Sequence, residues 1–367
     1  MADEPVLSIA IDVPLAHTFD YLPPAGAPVP DVGSRVLVPF RRRRQIGIVT
    51  GISSTSDVPR SRLRRVIECL DRTPLLGAAD LELIRFASDY YHHPVGEVCS
   101  AALPALLRQG RPLNPVEKRY AVTDAGDGAD VETLGRRAPR QAELLECLRD
   151  AGGDGLEATT LDELLPNWRR ALRPLVEKGL ATHFEATAPV PDGPGMTDPQ
   201  PGPTLNAEQQ AAVEAIQSAS GFRPFLLEGV TGSGKTEVYI SIAERALKAG
   251  KQVLVLVPEI SLTPQLTNRF RTRLGVRTAA LHSGLNDSQR LCAWSMAAQN
   301  QARLVIGTRS AVFTPMPNLG LIVIDEEHDG SYKQQDGFRY NARDLALVRA
   351  QQAGVPVILG SATPSLE

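Results

Sequence analysis

Eight consecutive residues, Gly229-Val230-Thr231-Gly232-Ser233-Gly234-Lys235-Thr236, leave this chain few choices of fold. They fit the pattern G-x-x-x-x-G-K-[ST], follow the apolar run PFLL (224–227) and open the helical stretch EVYISIAERALKAG. Glycines let backbone N–H groups approach phosphate oxygens, and a helix N-terminus adds the positive end of its dipole. Lys235 is therefore expected to reach the β- and γ-phosphates of a nucleotide, and Thr236 to place its hydroxyl on Mg²⁺. A loop of this kind needs a strand before it and a helix after it, in a buried parallel sheet. The surrounding sequence agrees. The runs VLVLV (253–257), LVIG (304–307), LIVI (321–324) and VPVILG (355–360) alternate with helical segments. Continuous apolar runs of that length suit strands covered on both faces.

At 367 residues the chain is long enough for several domains, and 43% apolar with 22% charged residues is a globular composition. The expected fold is multidomain: a small, mostly-β N-terminal module (1–112), a winged-helix-like module (113–185), a Pro/Gly-rich linker (186–204) and an α/β RecA-like P-loop NTPase lobe (205–367). In the first module VLSIAIDVP, RVLVPF and Gln45–Ile52 read as strands, and about Leu75 to Tyr91 as a helix. In the second, RQAELLECLRDAG and TTLDELLPNWRRALRPLVEKGLATHF read as short amphipathic helices followed by a strand, either a winged helix or a generic helical spacer. Ala186–Thr204 holds six prolines and three glycines.

The net charge of −3 gives no general basic bias, so any nucleic-acid binding rests on local patches. One lies between Asp31 and Arg65, where nine arginines face two aspartates. Arg41-Arg42-Arg43-Arg44 within it is either a solvated hairpin tip or a phosphate contact. The four cysteines, Cys69, Cys99, Cys147 and Cys292, contain no C-x-x-C, so no zinc site is expected in this chain and the thiols are expected free. The neighbours His92 and His93 point to packing rather than to a metal. No apolar run of membrane-spanning length and no signal peptide occur, so a cytoplasmic protein is expected.

Asp325-Glu326-Glu327-His328 closes LIVI. A carboxylate at the C-terminal end of a buried parallel strand points into the ligand crevice. Asp325 is expected to hold Mg²⁺ and Glu326 to orient or deprotonate the attacking water. Asp-Glu-x-His resembles the DEAD/DEAH-box arrangement of superfamily 2 nucleic-acid translocases. Gly360-Ser361-Ala362-Thr363 matches the S-A-T segment that follows in such enzymes, where Ser361 and Thr363 would couple nucleotide state to lobe closure.

Finer motifs narrow the resemblance. LNAEQ (205–209), GVTGSGKTEVY, LVPEISLTPQ (256–265), LHSGLND (281–287), VIGTRSAVF (305–313), DEEHDGSYKQQDGFRYNARDLA (325–346) and LGSATPSLE (359–367) together resemble the PriA-type primosomal protein N′ family of replication-restart DNA helicases. HTFDYLPP (17–24), VGSRVLVPF (32–40), IGIV (46–49), DYYHHPVGEV (89–98) and LPALLRQGRP (103–112) resemble that family's N-terminal DNA-end-binding module.

The resemblance implies residue roles. Phe19, Asp20 and Tyr21 would line a pocket for a nascent strand's 3′ end, Asp20 accepting a hydrogen bond from the terminal hydroxyl. Read without it, F-D-Y is a strand with packed aromatics. Gly33 would mark the close approach of backbone to nucleotide, and Arg64 stands where the family has a lysine. Gln209 would read adenine. Arg309 would contact single-strand phosphates, or serve as a cap or ion pair. Tyr332, Lys333, Phe338, Arg339 and Tyr340 would form an aromatic and basic loop that grips bases by stacking and links DNA binding to hydrolysis. Phe338 and Asn341 replace the family's Trp and His.

The resemblance further implies ATP and Mg²⁺ as cofactors, with Zn²⁺ belonging to a C-terminal region beyond this sequence. It implies DNA as partner (forks, D-loops, a nascent 3′ end, single strand), together with primosome proteins and single-strand DNA-binding protein, and a bacterial cytoplasmic, nucleoid-associated location. The sequence stops four residues after Thr363, before any second RecA-like lobe with its arginine finger, so it reads as a fragment. The expected activity is a 3′-to-5′, ATP-dependent helicase that initiates primosome assembly at stalled forks. The alternatives are a non-enzymatic 3′-end-binding module and a related fork-remodelling translocase.

Overall fold

The computed structural model describes residues 4–114, 116–187, 198–230 and 232–365. Thr231 of the phosphate loop and most of the proline-rich segment 186–204 lie outside them. The chain forms two compact units, one of Met1–Leu113 with Val190–Glu367, the other of Asn114–Pro189.

The larger unit begins with strands β1 (Val6–Ile11), β2 (Phe19–Leu22), β3 (Arg35–Phe40), β4 (Arg43–Ser53), β5 (Arg64–Arg65) and β6 (Glu68–Cys69). They form one sheet in the order β5-β2-β1-β4-β3-β6. Alternation places Leu7, Ile9, Ile11, Val36, Val38 and Val49 in one small core. The β3–β4 hairpin turns at Arg41, whose φ of +50° is left-handed, and Arg41 to Arg44 are all exposed. Helices α1 (Ala78–Tyr90), α2 (Val95–Ala102) and α3 (Ala105–Arg108) follow.

The smaller unit runs β7 (Val116–Val122), α4 (Asp124–Asp127), α5 (Val131–Arg137), α6 (Pro139–Asp150), β8 (Leu156–Glu157), α7 (Ala158–Leu164), α8 (Trp168–Glu177) and β9 (Ala181–Thr187). Its sheet is antiparallel, in the order β8-β7-β9. Leu144, Leu145, Leu148, Leu161, Trp168, Leu172 and Leu175 form its core. The buried Trp168 indole donates to Asp162 at 2.8 Å, which satisfies its N–H. Helices closed by a short antiparallel sheet are the ingredients of a winged helix.

The chain then returns to the larger unit with α9 (Ala207–Gln217), β10 (Arg223–Glu228), α10 (Lys235–Lys248), β11 (Gln252–Leu256), α11 (Pro264–Leu274), β12 (Thr278–Leu281), α12 (Asp287–Ala298), β13 (Leu304–Gly307), β14 (Leu319–Ile324), α13 (Ala342–Ala353) and β15 (Pro356–Ser361). The sheet is parallel, in the order β10-β15-β14-β11-β13-β12. Asn206 and Asn286 start α9 and α12 with capping boxes that pair each with a glutamine at the third helical position. Successive residues of the central strands enter different cores. Val253, Val255, Leu321 and Val323 pack with α9, α10 and α11, whereas Leu254, Leu256, Ile322 and Ile324 pack with α12 and α13. Both faces are covered, as the apolar runs require.

The sequence separates residues 1–112 from the lobe, but the structure packs them on one core. Leu81, Leu83, Ile84 and Leu107 of α1 and α3 share a continuous apolar cluster with Trp294, Met316 and Phe338 of the lobe. Each such large side chain contributes roughly 1.5–3 kcal/mol on burial, which favours one joint core over two half-covered faces.

Candidate nucleotide site and nucleic-acid interface

The carboxyl ends of β10, β14 and β15 bring together segments that are far apart in sequence. The phosphate loop leaves β10 and enters α10, whose N-cap Gly234 has a φ of +88° and no side-chain cap bond. The first N–H groups of a helix have no partner within it, so this end can receive an anion. Gly232, φ +83°, has open space where a Cβ would sit. The N–H of Gly229 donates to the Ser361 carbonyl at 3.0 Å, tying the loop to the S-A-T segment. Lys235 Nζ donates to the Gly229 carbonyl at 2.8 Å and lies 3.3 Å from Glu326 Oε1. Val230 is 72% exposed and Ser233 is exposed on the loop. Thr236 follows Lys235 in the first turn and is half-buried.

Asp325 accepts a hydrogen bond at Oδ1 from the Tyr239 hydroxyl at 3.0 Å, and its carbonyl accepts one from Tyr332 at 2.6 Å. Burial raises its carboxyl above the ordinary value; the Tyr239 bond opposes that shift, and the charge of Glu326 adds to it. Glu326 has a left-handed φ of +46°, an uncommon conformation for a residue with a side chain. Glu327 turns the other way, into a buried ion pair with Arg343 at 3.2 Å and onto Ser365. His328 Nδ1 and Ser361 Oγ share a hydrogen bond of 2.7 Å, and the Thr363 N–H donates to Ser361 Oγ. Ser361 therefore meets the acidic motif directly, and Thr363 reaches it through Ser361.

These groups suit a magnesium–nucleoside triphosphate. The helix end has no side-chain cap, Gly232 faces open space, and a lysine stands beside it. No cluster of three or more His, Cys, Asp or Glu suited to a metal occurs among the described residues. One carboxylate and one hydroxyl, Asp325 and Thr236, are the sparse protein set that Mg²⁺ takes beside phosphates and waters.

Gln209 is placed at the loop rather than beside open space. Its Oε1 accepts from the Asn206 N–H at 3.0 Å and its Nε2 donates to the Ser233 carbonyl at 2.8 Å. Both ends of the amide are engaged in capping α9 and bracing the loop.

The aromatic loop after the acidic motif differs from expectation. Tyr332, Phe338 and Tyr340 are 1%, 7% and 7% exposed. Phe338 stacks on Tyr340 at 4.9 Å and meets Tyr91 and His93 of the N-terminal module at 6.0 and 5.0 Å. Rings so enclosed offer no face to a base; apolar burial claims them. Lys333 and Arg339 are the exposed members. Arg309 donates to the carbonyls of Ser331 and Lys333 at 3.1 and 3.0 Å, holding the loop. Asn341 caps α13 through its side chain, and its N–H donates to the Tyr91 hydroxyl.

In the N-terminal module, Phe19, Asp20 and Tyr21 do not line one pocket, because successive strand residues point to opposite faces. Tyr21 is buried and donates to the Pro39 carbonyl at 3.1 Å; Phe19 packs edge-on against Phe40 at 5.0 Å. Asp20 faces the other way and accepts from Ser8 and Ser56 at 3.2 and 2.6 Å. Arg64 pairs in register with Tyr21, is exposed, and donates to the Arg41 carbonyl. Gly33 is buried with a φ of +94°, and a Cβ there would overlap the Leu76 carbonyl oxygen. Close approach of its own backbone, not of a nucleotide, demands glycine. His93 lies 2.7 Å from Glu97 and packs on Phe338.

The basic patch is smaller than its composition. Arg35 is fully buried; it pairs with Asp71 at 2.7 Å and donates to the carbonyls of Leu107 and Arg111. Arg65 pairs with Glu4 at 2.6 Å. Sequence reasoning missed the roles of Arg35, Tyr239 and Glu327. For Tyr239 the available signal was its place four residues after Lys235, one helical turn along.

A phosphate loop facing Asp-Glu-Glu-His across a parallel sheet defines a DEAD/DEAH-box helicase lobe, and the DEAD/DEAH box helicase family model matches residues 206–367. Residues 8–104 match the PriA 3′ DNA-binding domain. Replication restart protein PriA of Haemophilus influenzae is 41% identical over 365 residues, covering 99% of this chain and 50% of that protein. That of Bacillus subtilis is 34% identical, covering 91% and 50%. The chain is similar to these PriA proteins over nearly its whole length and spans about half the length of each. Among solved structures, RecG bound to a three-way DNA junction aligns over 44% of this chain and 21% of its own at 25% identity, with a TM-score of 0.34, too loose a superposition to fix side-chain correspondence.

Proposed function

We propose that this chain is the DNA-end-sensing and ATP-binding part of a replication-restart helicase, which moves 3′-to-5′ on stalled forks and D-loops and initiates primosome assembly. The observation that carries this reading is the meeting of Lys235 with Glu326, and of Tyr239 of α10 with Asp325, in a chain whose residues 8–104 also match a 3′ DNA-binding domain. The finer partners, primosome proteins and single-strand DNA-binding protein, and action in the bacterial cytoplasm at forks, are inferred from the resemblance to PriA. No helix among the described residues is long and apolar enough to cross a membrane.

In this reading Lys235 gives up Glu326 for the β- and γ-phosphate oxygens of ATP, with backbone N–H groups of the loop from Gly229 to Thr236 around them. Glu326, released, accepts a proton from the attacking water. Thr236 and Asp325 hold Mg²⁺, which when bound offsets charge on the phosphates. Ser361, joined to His328, and Thr363, joined to Ser361, convey the state of the site toward a second lobe. Gln209 holds the loop and comes free for adenine only by breaking its bond to Ser233. Asp20, on the face of β2 opposite Phe19, receives the 3′-hydroxyl, while Arg309, Lys333 and Arg339 face strand phosphates. Turnover requires the second lobe's arginine, so this chain alone binds forks and nucleotide without sustained hydrolysis.

The test is ATP hydrolysis by the full-length protein with and without forked DNA. Stimulation by DNA that Lys235→Ala abolishes is expected; hydrolysis indifferent to DNA would overturn the reading.

A further inference from the structure

One turn along α10 from Lys235, Tyr239 closes the segment GVTGSGKTEVY without a role of its own so far, and two parts of the site meet on its hydroxyl. The residue is 1% exposed, and its ring is embedded with Val238, Ile240 and Ile242 of α10 in the apolar cluster on one face of the sheet. The hydroxyl donates to Asp325 Oδ1 at 3.0 Å. Gly360 covers the same oxygen from the end of β15, where a Cβ would overlap it. The next residue, Ser361, receives the Gly229 N–H of the phosphate loop and bonds His328. A phenylalanine would fill this space equally well, so the hydroxyl is there for the bond it makes. That bond is charge-assisted and buried, which makes it short of alternatives and directional.

We infer that Tyr239 is the positioning residue for Asp325: by occupying Oδ1 it fixes the carboxylate's rotation and leaves Oδ2 as the oxygen available to Mg²⁺. This rests on the nucleotide reading above and deepens it. Outer partners of metal-binding carboxylates orient them, and their loss weakens metal binding by about 10–100-fold.

The experiment titrates Mg²⁺ into this chain with a fluorescent, non-hydrolysable ATP analogue. Tyr239→Phe should leave metal-free affinity for the analogue within about twofold, while the Mg²⁺ concentration at half-saturation rises about tenfold or more. In an Asp325→Asn background the same substitution should add nothing, since the carboxylate it orients is gone. If the wild-type chain shows Mg²⁺-dependent binding and Tyr239→Phe titrates identically, this inference fails and the nucleotide reading stands. Parallel loss of metal-free affinity would make Tyr239 a packing residue and also overturns it. Absence of Mg²⁺-dependent binding in the wild type sinks both.

Discussion

The two six-stranded sheets of the larger unit use their polar side chains in opposite ways. At the end of the parallel sheet the motif residues bond one another: Lys235 to Glu326, Tyr239 to Asp325, His328 to Ser361. On the mostly antiparallel N-terminal sheet the hairpin tip turns Arg41 to Arg44 out to solvent, while Arg35, at the other end of β3, is buried in an ion pair. Chemistry at a reacting phosphate needs groups already fixed in place, and converging strand ends supply that. Gripping a nucleic-acid backbone needs charge and reach, which a hairpin supplies without fixed geometry.

That contrast can be broken most forcefully at Arg35. Arg35→Met strands Asp71 and two carbonyls in the interior, and a loss of about 3–5 kcal/mol is expected in urea unfolding. A surface arginine would cost almost nothing, so a small loss would return Arg35 to the patch. Glu327→Gln should cost about 1.5–3 kcal/mol by removing charge from the Arg343 and Ser365 bonds. Burial pushes this carboxyl up, but the bonds from Ser365 and Arg343 outweigh it and hold it below its ordinary 4.5. Its folded value lies under the unfolded one, so its contribution is complete above about pH 4.5 and is lost as pH falls through the folded value. The thermal midpoint of the wild type should therefore drop more steeply below that pH than that of Glu327→Gln.

Smaller effects sharpen the other side. Asp20→Ala should weaken binding to forks ending in a 3′-hydroxyl about tenfold, equivalent to about 1.4 kcal/mol, and leave 3′-phosphate ends unchanged. Equal loss on both ends would assign Asp20 to bracing Ser8 and Ser56 alone. Replacing Arg42, Arg43 and Arg44 by serine should flatten the dependence of log affinity on log salt by about 0.9 for each phosphate contact removed. An unaltered slope would leave the tip a solvated turn.

Much of the parallel lobe was legible because its strands announce themselves. LVIG coincides with β13, and LIVI lies within β14. β12, Thr-Ala-Ala-Leu, has too little apolar bulk to stand out. The phosphate loop and acidic motif were legible because each carries a fixed pattern, and topology alone brings them together. Tyr239 was not, since one tyrosine on a helix shows nothing of where its hydroxyl ends. Nor were the buried rings of Tyr332, Phe338 and Tyr340: an aromatic, basic segment reads the same whether its rings face a base or a neighbouring helix. The family resemblance groups Asp20 with Tyr21 in one pocket, yet as adjacent strand residues they are sent apart by pleating.

Arg309 has a consequence of its own. Its guanidinium grips the carbonyls of Ser331 and Lys333, and between them Tyr332 reaches under Asp325. A phosphate that claimed this cation would compete with both carbonyls at once. Anchoring a passing strand and keeping the loop latched are then rival occupations of a single side chain, and the arrival of nucleic acid would register at the acidic motif as a change of grip rather than as a push.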